Sequence, residues 1–370
     1  MLGEAGGIAV YAESLFAALT RLPGGHSFVL WCARRHAGPA ARRLALPAAI
    51  VAAPGTLGRL LGRLGRMACG NPLPIETFAG PVDVFHGPNY FLPAQRGRAA
   101  LVVTVHDLSA LRHAEWHPTR RLMVHRIALH RTVQKVDHVI TDSEAIRAEV
   151  IRYLGVPPEK VTAIHPAPPP GFRPQRPAEL KPALDRWGLS PSEYLLFAGA
   201  IEPRKNLVRL LDAAEVLQRG RPDLPPLIFV GPPGWRNQEI RNRIATRGPQ
   251  VRYLGYLSND DVAALMAGCA AFVMPSLYEG FGLPVLEALA CGVPVVTSRG
   301  GALEEVAGDA AILVDPQDSD EIADGIERVL DDTTLRETLV RKGLARAAQF
   351  SWERTARETL RVYERAIQSR

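Results

Sequence analysis

Short apolar runs alternate with longer amphipathic stretches along most of the chain. In the second half, the runs that predict buried strands are Tyr194–Ala198, Leu227–Val230, Val251–Tyr253, Ala271–Met274, Val295–Thr297 and Ala311–Val314. Helical spacing between them predicts helices over Asn206–Arg219, Ser258–Gly268, Pro284–Ala290, Ala302–Ala307 and Asp318–Asp331. Strands that alternate with helices form parallel sheets covered on both faces. The pattern therefore predicts an α/β fold with a doubly wound parallel sheet.

The first half repeats this alternation less regularly. Its predicted strands are Val82–Phe85, Leu101–Val105, Val136–Thr141 and Val161–Ile164, and its predicted helices are Val10–Leu22, Pro118–Gln134 and Ser143–Leu154. The proline-rich stretch 166–177 supports neither a helix nor a central strand. We therefore expect a first domain over 1–177, a second over 178–349, and a C-terminal helix over 350–370 that packs back on the first. Two such domains would face a shared cleft with the carboxyl ends of their strands.

The N-terminal glycines form an unusual start. Gly6-Gly7 opens directly into a helical pattern, as a turn between a strand and a helix does, but only five residues precede it. That is too few for the strand that normally feeds such a turn. We expect an unfilled strand position in the first domain and favour a missing strand ahead of this turn.

Composition excludes several classes of protein. Hydrophobic residues make up 47% of the 370 residues and charged residues 22%, which excludes a wholly disordered chain. No apolar run approaches the roughly 18 residues of a membrane-spanning helix, and residues 1–20 do not show the basic stretch before an apolar core that is typical of a signal peptide. The four cysteines lie far apart without a CxxC pair, which indicates neither a disulfide framework nor a zinc site. A cytoplasmic location fits this pattern best.

Charge differs between the two halves. Residues 1–177 carry 21 Lys and Arg against 11 Asp and Glu, whereas the remainder carries 23 against 27. The basic half suits an anionic lipid surface or an acidic substrate, and an ordinary solvated surface explains it equally well. Within it, Leu57–Met67 interleaves apolar residues with arginines and suits a peripheral contact with a membrane, although three glycines favour a flexible loop. Because the chain has no recognised nucleic-acid motif, we expect no nucleic-acid partner.

The strongest chemical signal follows the predicted strand that ends at Met274. Glu279-Gly280-Phe281-Gly282-Leu283 forms a glycine-containing loop, Pro284 suits the first turn of a helix, and Glu287 lies about one turn further on. The first backbone N–H groups of a helix are unpaired and favour an anion. Carboxylates beside a phosphate would repel it unless they bind hydroxyl groups. The loop therefore suits a ligand with both phosphates and sugar hydroxyls, and, taken alone, also suits a tight turn with two solvated glutamates.

A second signal follows the predicted strand that ends at Ala198. Here Arg204 and Lys205 directly precede a helix start. Two cations beside unpaired N–H groups make a suitable clamp for a pyrophosphate. An Arg-Lys dipeptide alone is also an ordinary surface pair. Each motif therefore indicates a phosphate-binding site more strongly in combination with the other than alone.

Together these residues resemble the family 4 retaining glycosyltransferases of GT-B architecture, and more narrowly their bacterial mannosyltransferases. The spacing Glu279-x7-Glu287 around Gly280-Phe281-Gly282 is that family's signature, and Glu202-Pro-Arg204-Lys205-Asn206 accompanies it. The resemblance spans most of residues 190–355 and includes Tyr256 and Leu257. In the first half it is looser, and rests on Gly6 and Gly7 and on the pair His106 and Asp107.

The resemblance implies two Rossmann-like domains and transfer of a hexose, with retained configuration, from a nucleotide diphosphate sugar to a glycan or lipid-linked acceptor. Arg204 and Lys205 would hold the leaving diphosphate, Glu279 the sugar hydroxyls and Glu287 the ribose hydroxyls. His106 would orient the sugar, while Asp107 would either orient His106 or start the next turn. No metal and no other cofactor is implied, and the triplet Asp318-Ser-Asp320 is interpreted as a helix start. The alternatives are a catalytically silent sugar-nucleotide-binding protein and a GT-B sugar-nucleotide epimerase.

Overall fold

The structure is a computed structural model that describes residues 7–33, 49–53, 76–92, 97–117 and 119–370. The chain divides into two compact units. Unit 1 contains Met1–Arg112, Thr119–Ala167 and Ser351–Arg370, and unit 2 contains His113–Pro118 and Pro168–Phe350. Each unit is an α/β structure with parallel strands only in the part that the structure describes. The predicted fold class is therefore confirmed.

The described strands of unit 1 form two parallel sheets. They are β1 (Val29–Ala33), β2 (Ala49–Ala53), β3 (Val84–Gly87), β4 (Ala100–Val105), β5 (His138–Thr141) and β6 (Val161–Ala163). β1 pairs with β2, and the other four are ordered β3-β4-β5-β6. Every residue of β4 and β5 is buried, which explains their nearly continuous apolar sequences. The expected gap ahead of the first helix stays a prediction.

Five helices lie between and around these strands in the described part of unit 1: α1 (Gly7–Leu19), α2 (Glu76–Ala79), α3 (Ser109–Arg112), α4 (Thr119–Val133) and α5 (Glu144–Leu154). Ser143 starts α5 by accepting a hydrogen bond from the N–H of Ile146, and Gly155 ends it at a positive φ of 64°. Gly6 and the basic segment Leu57–Met67 lie outside the described residues.

Unit 2 contains one six-stranded sheet. Its strands are β7 (Leu195–Ala198), β8 (Leu227–Val230), β9 (Val251–Tyr253), β10 (Ala271–Met274), β11 (Val295–Ser298) and β12 (Ile312–Val314), in the order β12-β11-β10-β7-β8-β9. The chain thus builds outward from β7 to β9, returns to β10 beside β7, and builds outward again. This is the Rossmann order, and ligands bind such sheets at the carboxyl ends of the two strands where the direction reverses.

Eight helices flank or follow the sheet of unit 2. They are α6 (Pro177–Trp187), α7 (Leu207–Gly220), α8 (Gln238–Ala245), α9 (Asn259–Gly268), α10 (Leu283–Cys291), α11 (Gly301–Ala307), α12 (Ser319–Asp331) and α13 (Thr333–Ala347). α6 was not predicted, because it begins in the proline-rich stretch and contains Pro182. α8 was also missed, since most of its eight residues are polar.

The last helix, α14 (Trp352–Gln368), belongs to unit 1. Ser351 caps it by accepting a hydrogen bond from the N–H of Arg354. Its residues Val362 and Ala366 pack against buried side chains of β4 and β5, and Trp352 lies 5.9 Å from Tyr11 of α1 between ring centroids. The predicted return of the C-terminal helix to the first domain is confirmed. None of the described helices is long and apolar enough to cross a membrane.

Candidate functional site

The loops after β7 and β10 meet where the direction of strand building reverses in unit 2. The loop after β7 contains a 3₁₀ helix, Pro203–Lys205, and leads into α7. Asn206 adopts a left-handed conformation with φ of 60° there, and its side chain donates to the carbonyls of Pro275 (2.9 Å) and Pro316 (2.5 Å). The N–H of Leu277 donates to the carbonyl of Arg204 at 2.8 Å. These bonds fix the two loops that carry the predicted cations and carboxylates.

The loops after β7 and β8 approach each other backbone to backbone. A Cβ at Gly231 would lie 2.0 Å from the carbonyl oxygen of Gly199, and Gly231 has a φ of 142°. Three residues further on in the same loop, the N–H of Gly234 donates to the carbonyl of Ile201. Only glycine fits a contact this close at such a φ. The glycines therefore hold the loop after β7 against its neighbour.

Arg204, Lys205 and Glu279 form one charge cluster, as the sequence predicted that they would share a site. Lys205 Nζ lies 2.6 Å from Glu279 Oε1, and Arg204 Nη1 lies 2.5 Å from Glu279 Oε2. Arg204 also pairs through Nε with the buried Glu202 at 2.5 Å, and donates to the carbonyl of Tyr278 at 3.1 Å. Both cations thus share the carboxylate of Glu279.

The charges of this cluster shift each other's ionisation. Burial alone would raise the pKa of Glu279, but Arg204 and Lys205 outweigh it and hold that pKa at about 2. Burial lowers the pKa of Lys205, and the charge of Glu279 offsets part of this effect. Glu279 is therefore a carboxylate at neutral pH, and its charge opposes the effect of burial on Lys205.

The pKa of Glu287 is shifted in the opposite direction from that of Glu279. It lies in α10, whose first residue follows Gly282 at a φ of 104° and whose first turn contains Pro284. Its half-buried carboxyl group has no hydrogen bond or ion pair within the described residues, and burial raises its pKa to about 8. A buried acid without donors is disfavoured as a carboxylate. Hydroxyl groups of a ligand would supply those donors.

The other predicted residues of unit 2 differ in burial and in their place in the fold. Phe281 is buried, with its ring 6.0 Å from that of Phe350, so its side chain belongs to the core and not to a ligand surface. Leu257 is likewise buried, whereas Tyr256 is 58% exposed. Both follow β9, two strands from β7, and the structure does not bring them to the charge cluster. Gly280 lies in the loop directly after Glu279, and Leu283 is the first residue of α10.

An aromatic group that the sequence analysis missed covers part of this edge of unit 2. The ring of His113 stacks on Trp116 at 3.9 Å and lies 5.4 Å from Tyr278, the neighbour of Glu279. Trp235, after β8, donates from its indole N–H to the carbonyl of Trp116 at 2.5 Å. The segment 113–117 comes from between α3 and α4, so no local sequence pattern could place it there.

His106 lies in unit 1, in the turn after β4. It is buried, and its Nδ1 lies 2.7 Å from Asp142 Oδ2 while its Nε2 lies 2.9 Å from the carbonyl oxygen of Pro88. Asp142, after β5, therefore orients the imidazole. Asp107 accepts hydrogen bonds from the N–H and the hydroxyl of Ser109, and so it starts the next helical turn. Gly7, the other predicted residue of unit 1, begins α1.

The interpretation of Asp318-Ser-Asp320 as a helix start is confirmed. Asp318 Oδ1 accepts hydrogen bonds from the N–H groups of Asp320 (2.9 Å) and Glu321 (3.1 Å) at the first turn of α12. Within the described ranges, no three His, Cys, Asp or Glu side chains are grouped to hold a metal ion.

A Rossmann sheet with two cations, two carboxylates and a helix start at its reversal point is an arrangement typical of nucleotide-binding α/β proteins. Residues 186–346 match the model of the glycosyl transferases group 1, and residues 5–168 match that of Glycosyltransferase Family 4. The chain is 39% identical over 283 residues to the O-antigen chain mannosyltransferase B of Escherichia coli, covering 76% of this chain and 74% of that protein. It is 32% identical over 319 residues to a D-inositol 3-phosphate glycosyltransferase of Nocardioides sp., covering 78% and 68%.

Solved structures show the same fold. The structure of Anabaena Alr3699/HepE in complex with UDP-glucose matches with a TM-score of 0.75 at 20% identity, over 97% of this chain and 96% of that one. WaaG, a glycosyltransferase of lipopolysaccharide biosynthesis, matches with a TM-score of 0.70 at 16% identity, over 96% and 95%. The chain belongs to the family 4 glycosyltransferases of GT-B fold and is a glycosyltransferase enzyme.

Proposed function

We propose that this enzyme transfers a hexose, with retained configuration, from a nucleotide diphosphate sugar to a hydroxyl of a glycan or lipid-linked acceptor. A mannose-type donor is favoured, since the relative from Escherichia coli is named a mannosyltransferase. The observation that carries the proposal is the cluster of Arg204, Lys205 and Glu279 at the reversal point of the sheet in unit 2.

The leaving diphosphate needs cations when the bond to the sugar breaks. Arg204, Lys205 and the first N–H groups of α10 supply positive charge at one edge of the sheet. A diphosphate that contacts these cations takes the place of the Glu279 carboxylate, which then accepts hydrogen bonds from the sugar hydroxyls. Because two cations are available, the reaction as proposed needs no metal and no further cofactor.

The ribose is assigned to Glu287. Its half-buried carboxyl group lies one turn into α10 and has no partner among the described residues, so ribose hydroxyls would meet an acceptor already stripped of water. His106 is assigned to orientation of the donor sugar. In a front-face route, the acceptor oxygen attacks as the leaving phosphate departs, and that phosphate takes the acceptor's proton.

The proposed setting is the cytoplasm, with the enzyme at the inner membrane face when its acceptor is lipid-linked. The basic charge of residues 1–177 supports this placement.

The test incubates the purified protein with a panel of nucleotide sugars, with and without saccharide acceptors, in EDTA. Release of nucleoside diphosphate that requires an acceptor, and an α-linked product from an α-linked donor, is the expected result. Donor binding without turnover would instead show a silent binding protein, and a changed donor sugar without diphosphate release would show an epimerase. Restoration of activity only by magnesium or manganese would contradict metal independence.

A further inference from the structure

His106 has hydrogen-bond acceptors at both ring nitrogens. Asp142 Oδ2 lies 2.7 Å from Nδ1, and the carbonyl oxygen of Pro88 lies 2.9 Å from Nε2. A carbonyl oxygen only accepts hydrogen bonds, and so does an ionised carboxylate. A neutral imidazole has one N–H group and one lone pair, which would face an acceptor oxygen at one of these two contacts. The geometry therefore fits a ring that carries both protons.

Among the groups around His106, Asp142 is the one placed to balance a positive charge on the ring. The titratable groups that face the ring or its partners are Tyr11 of α1, His86 of β3, Tyr90 after β3, Asp107 beside it, Asp142 after β5 and Tyr363 of α14. Of the two carboxylates, Asp107 is bonded to Ser109, and Asp142 makes the direct contact.

The neighbouring His86 is not the charged histidine of the pair. Its ring is bonded to the hydroxyls of Tyr363 (2.7 Å) and Thr104 (2.8 Å), each of which can donate or accept. Burial, together with the charge of His106, lowers the pKa of His86 to about 3. Two neighbouring histidines thus have different partners: hydroxyls for the neutral one and a carboxylate for the charged one.

We propose that Asp142 is a positioning residue that holds His106 as an imidazolium, so that His106 serves sugar transfer as a fixed positive charge and never as a base. The catalytic part of this inference rests on the proposed function. Burial opposes the charge on His106, but Asp142 outweighs it and raises the pKa of His106. With no lone pair on the ring, His106 cannot take the acceptor's proton, which leaves on the departing phosphate while the new bond to the sugar forms.

Asp142→Asn tests the inference, because asparagine keeps an acceptor for Nδ1 and removes the charge. In the variant, the pKa of His106 falls to its ordinary value of about 6.5 or below, so kcat falls at least about tenfold between pH 6 and pH 8 relative to the wild-type profile. Asp137→Asn is the matched control, since Asp137 is an equally buried carboxylate just before β5 that accepts from the N–H of Leu101. Its pH profile should follow that of the wild type.

Nitrogen NMR of the histidine side chains gives a readout that needs no turnover. With the signal assigned by His106→Gln, both ring nitrogens of His106 should carry protons at pH 7 in the wild type, and the Asn variant should lose one. His138, which is bonded to Thr162 and whose pKa burial lowers to about 4, should stay neutral in both proteins.

A neutral His106 at pH 7 in the wild type would overturn the inference, as would an unchanged pH profile of a folded Asp142→Asn variant. If that variant does not fold, the wild-type NMR titration alone decides. If no donor is turned over at all, the proposed function fails, while the NMR result still supports or rejects the role of Asp142.

Discussion

Replacing Glu279 with glutamine should tighten the binding of free nucleoside diphosphate while it slows sugar transfer. In the wild type, the carboxylate of Glu279 occupies both cations that we assign to the phosphates, at 2.6 Å from Lys205 and 2.5 Å from Arg204. A phosphate must displace it from at least one of them. Glutamine keeps the shape and removes the competing charge.

The size of the effect follows from the bonds that are broken. A hydrogen bond to a charged group contributes about 1.5–3 kcal/mol, so relief from one such competitor corresponds to roughly 10–150-fold tighter binding. Arg204 stays in place because Glu202 also holds it at 2.5 Å. Lys205 loses the partner that offsets its burial, so its pKa falls further. An amine is charged only below its pKa, and the gain in affinity should therefore become smaller as the pH rises.

Calorimetry with GDP and UDP measures the affinity, and initial rates at saturating donor measure the transfer. Glu215→Gln is the matched control, because Glu215 also bridges two cations, Arg219 and Arg247, but lies nine residues beyond Asn206 along α7, about 14 Å away. It should change neither quantity. Weaker diphosphate binding by a folded Glu279→Gln variant would refute the idea that this carboxylate competes with phosphate.

Three further predictions follow from the same edge of unit 2. Arg204→Ala and Lys205→Ala should each reduce turnover by about 10–150-fold, measured at saturating donor. Glu287→Gln should weaken diphosphate binding. Because burial raises the pKa of Glu287 to about 8, diphosphate binding by the wild type should release a proton at pH 7 and strengthen as the pH rises toward 8. Calorimetry in buffers of different ionisation enthalpy measures this proton release, which the variant should lose. Gly231→Ala should lower the free energy of unfolding by about 1–3 kcal/mol in urea titrations, whereas Gly220→Ala, with open space around it, should not.

Buried parallel strands were the most predictable part of the fold. β8, β9 and β10 begin and end at the residues that the apolar runs predicted. β8 and β10 are buried along their whole length, so each stops where its apolar run stops. β1 and β2 were missed, since alanines, a cysteine and prolines around them weaken the β pattern. The C-terminal helix, expected over 350–370, begins at Trp352, because Ser351 caps it and separates it from α13.

The candidate site was predictable where a motif is local and not where partners come from distant segments. The pairing of Lys205 with Glu279 spans 74 residues, yet both belong to strand-end loops whose edge the topology fixes. Asp142 lies 36 residues from His106 and carries no motif of its own, so the sequence offered only the adjacent Asp107 as an orienting group. Likewise, nothing local distinguishes Asn206 as the side chain that ties three loops together.

The charge cluster also explains how a site for anions can discriminate among them. Glu202 and Glu279 balance Arg204 and Lys205, so this edge carries no large net charge to attract every phosphate. A bare anion that displaces Glu279 leaves a buried carboxylate without its partners, which is costly. A sugar nucleotide brings hydroxyl donors for that carboxylate together with phosphates for the cations, so both sets of charges stay satisfied. In the proposed function, Glu279 therefore couples recognition of the sugar to recognition of the diphosphate.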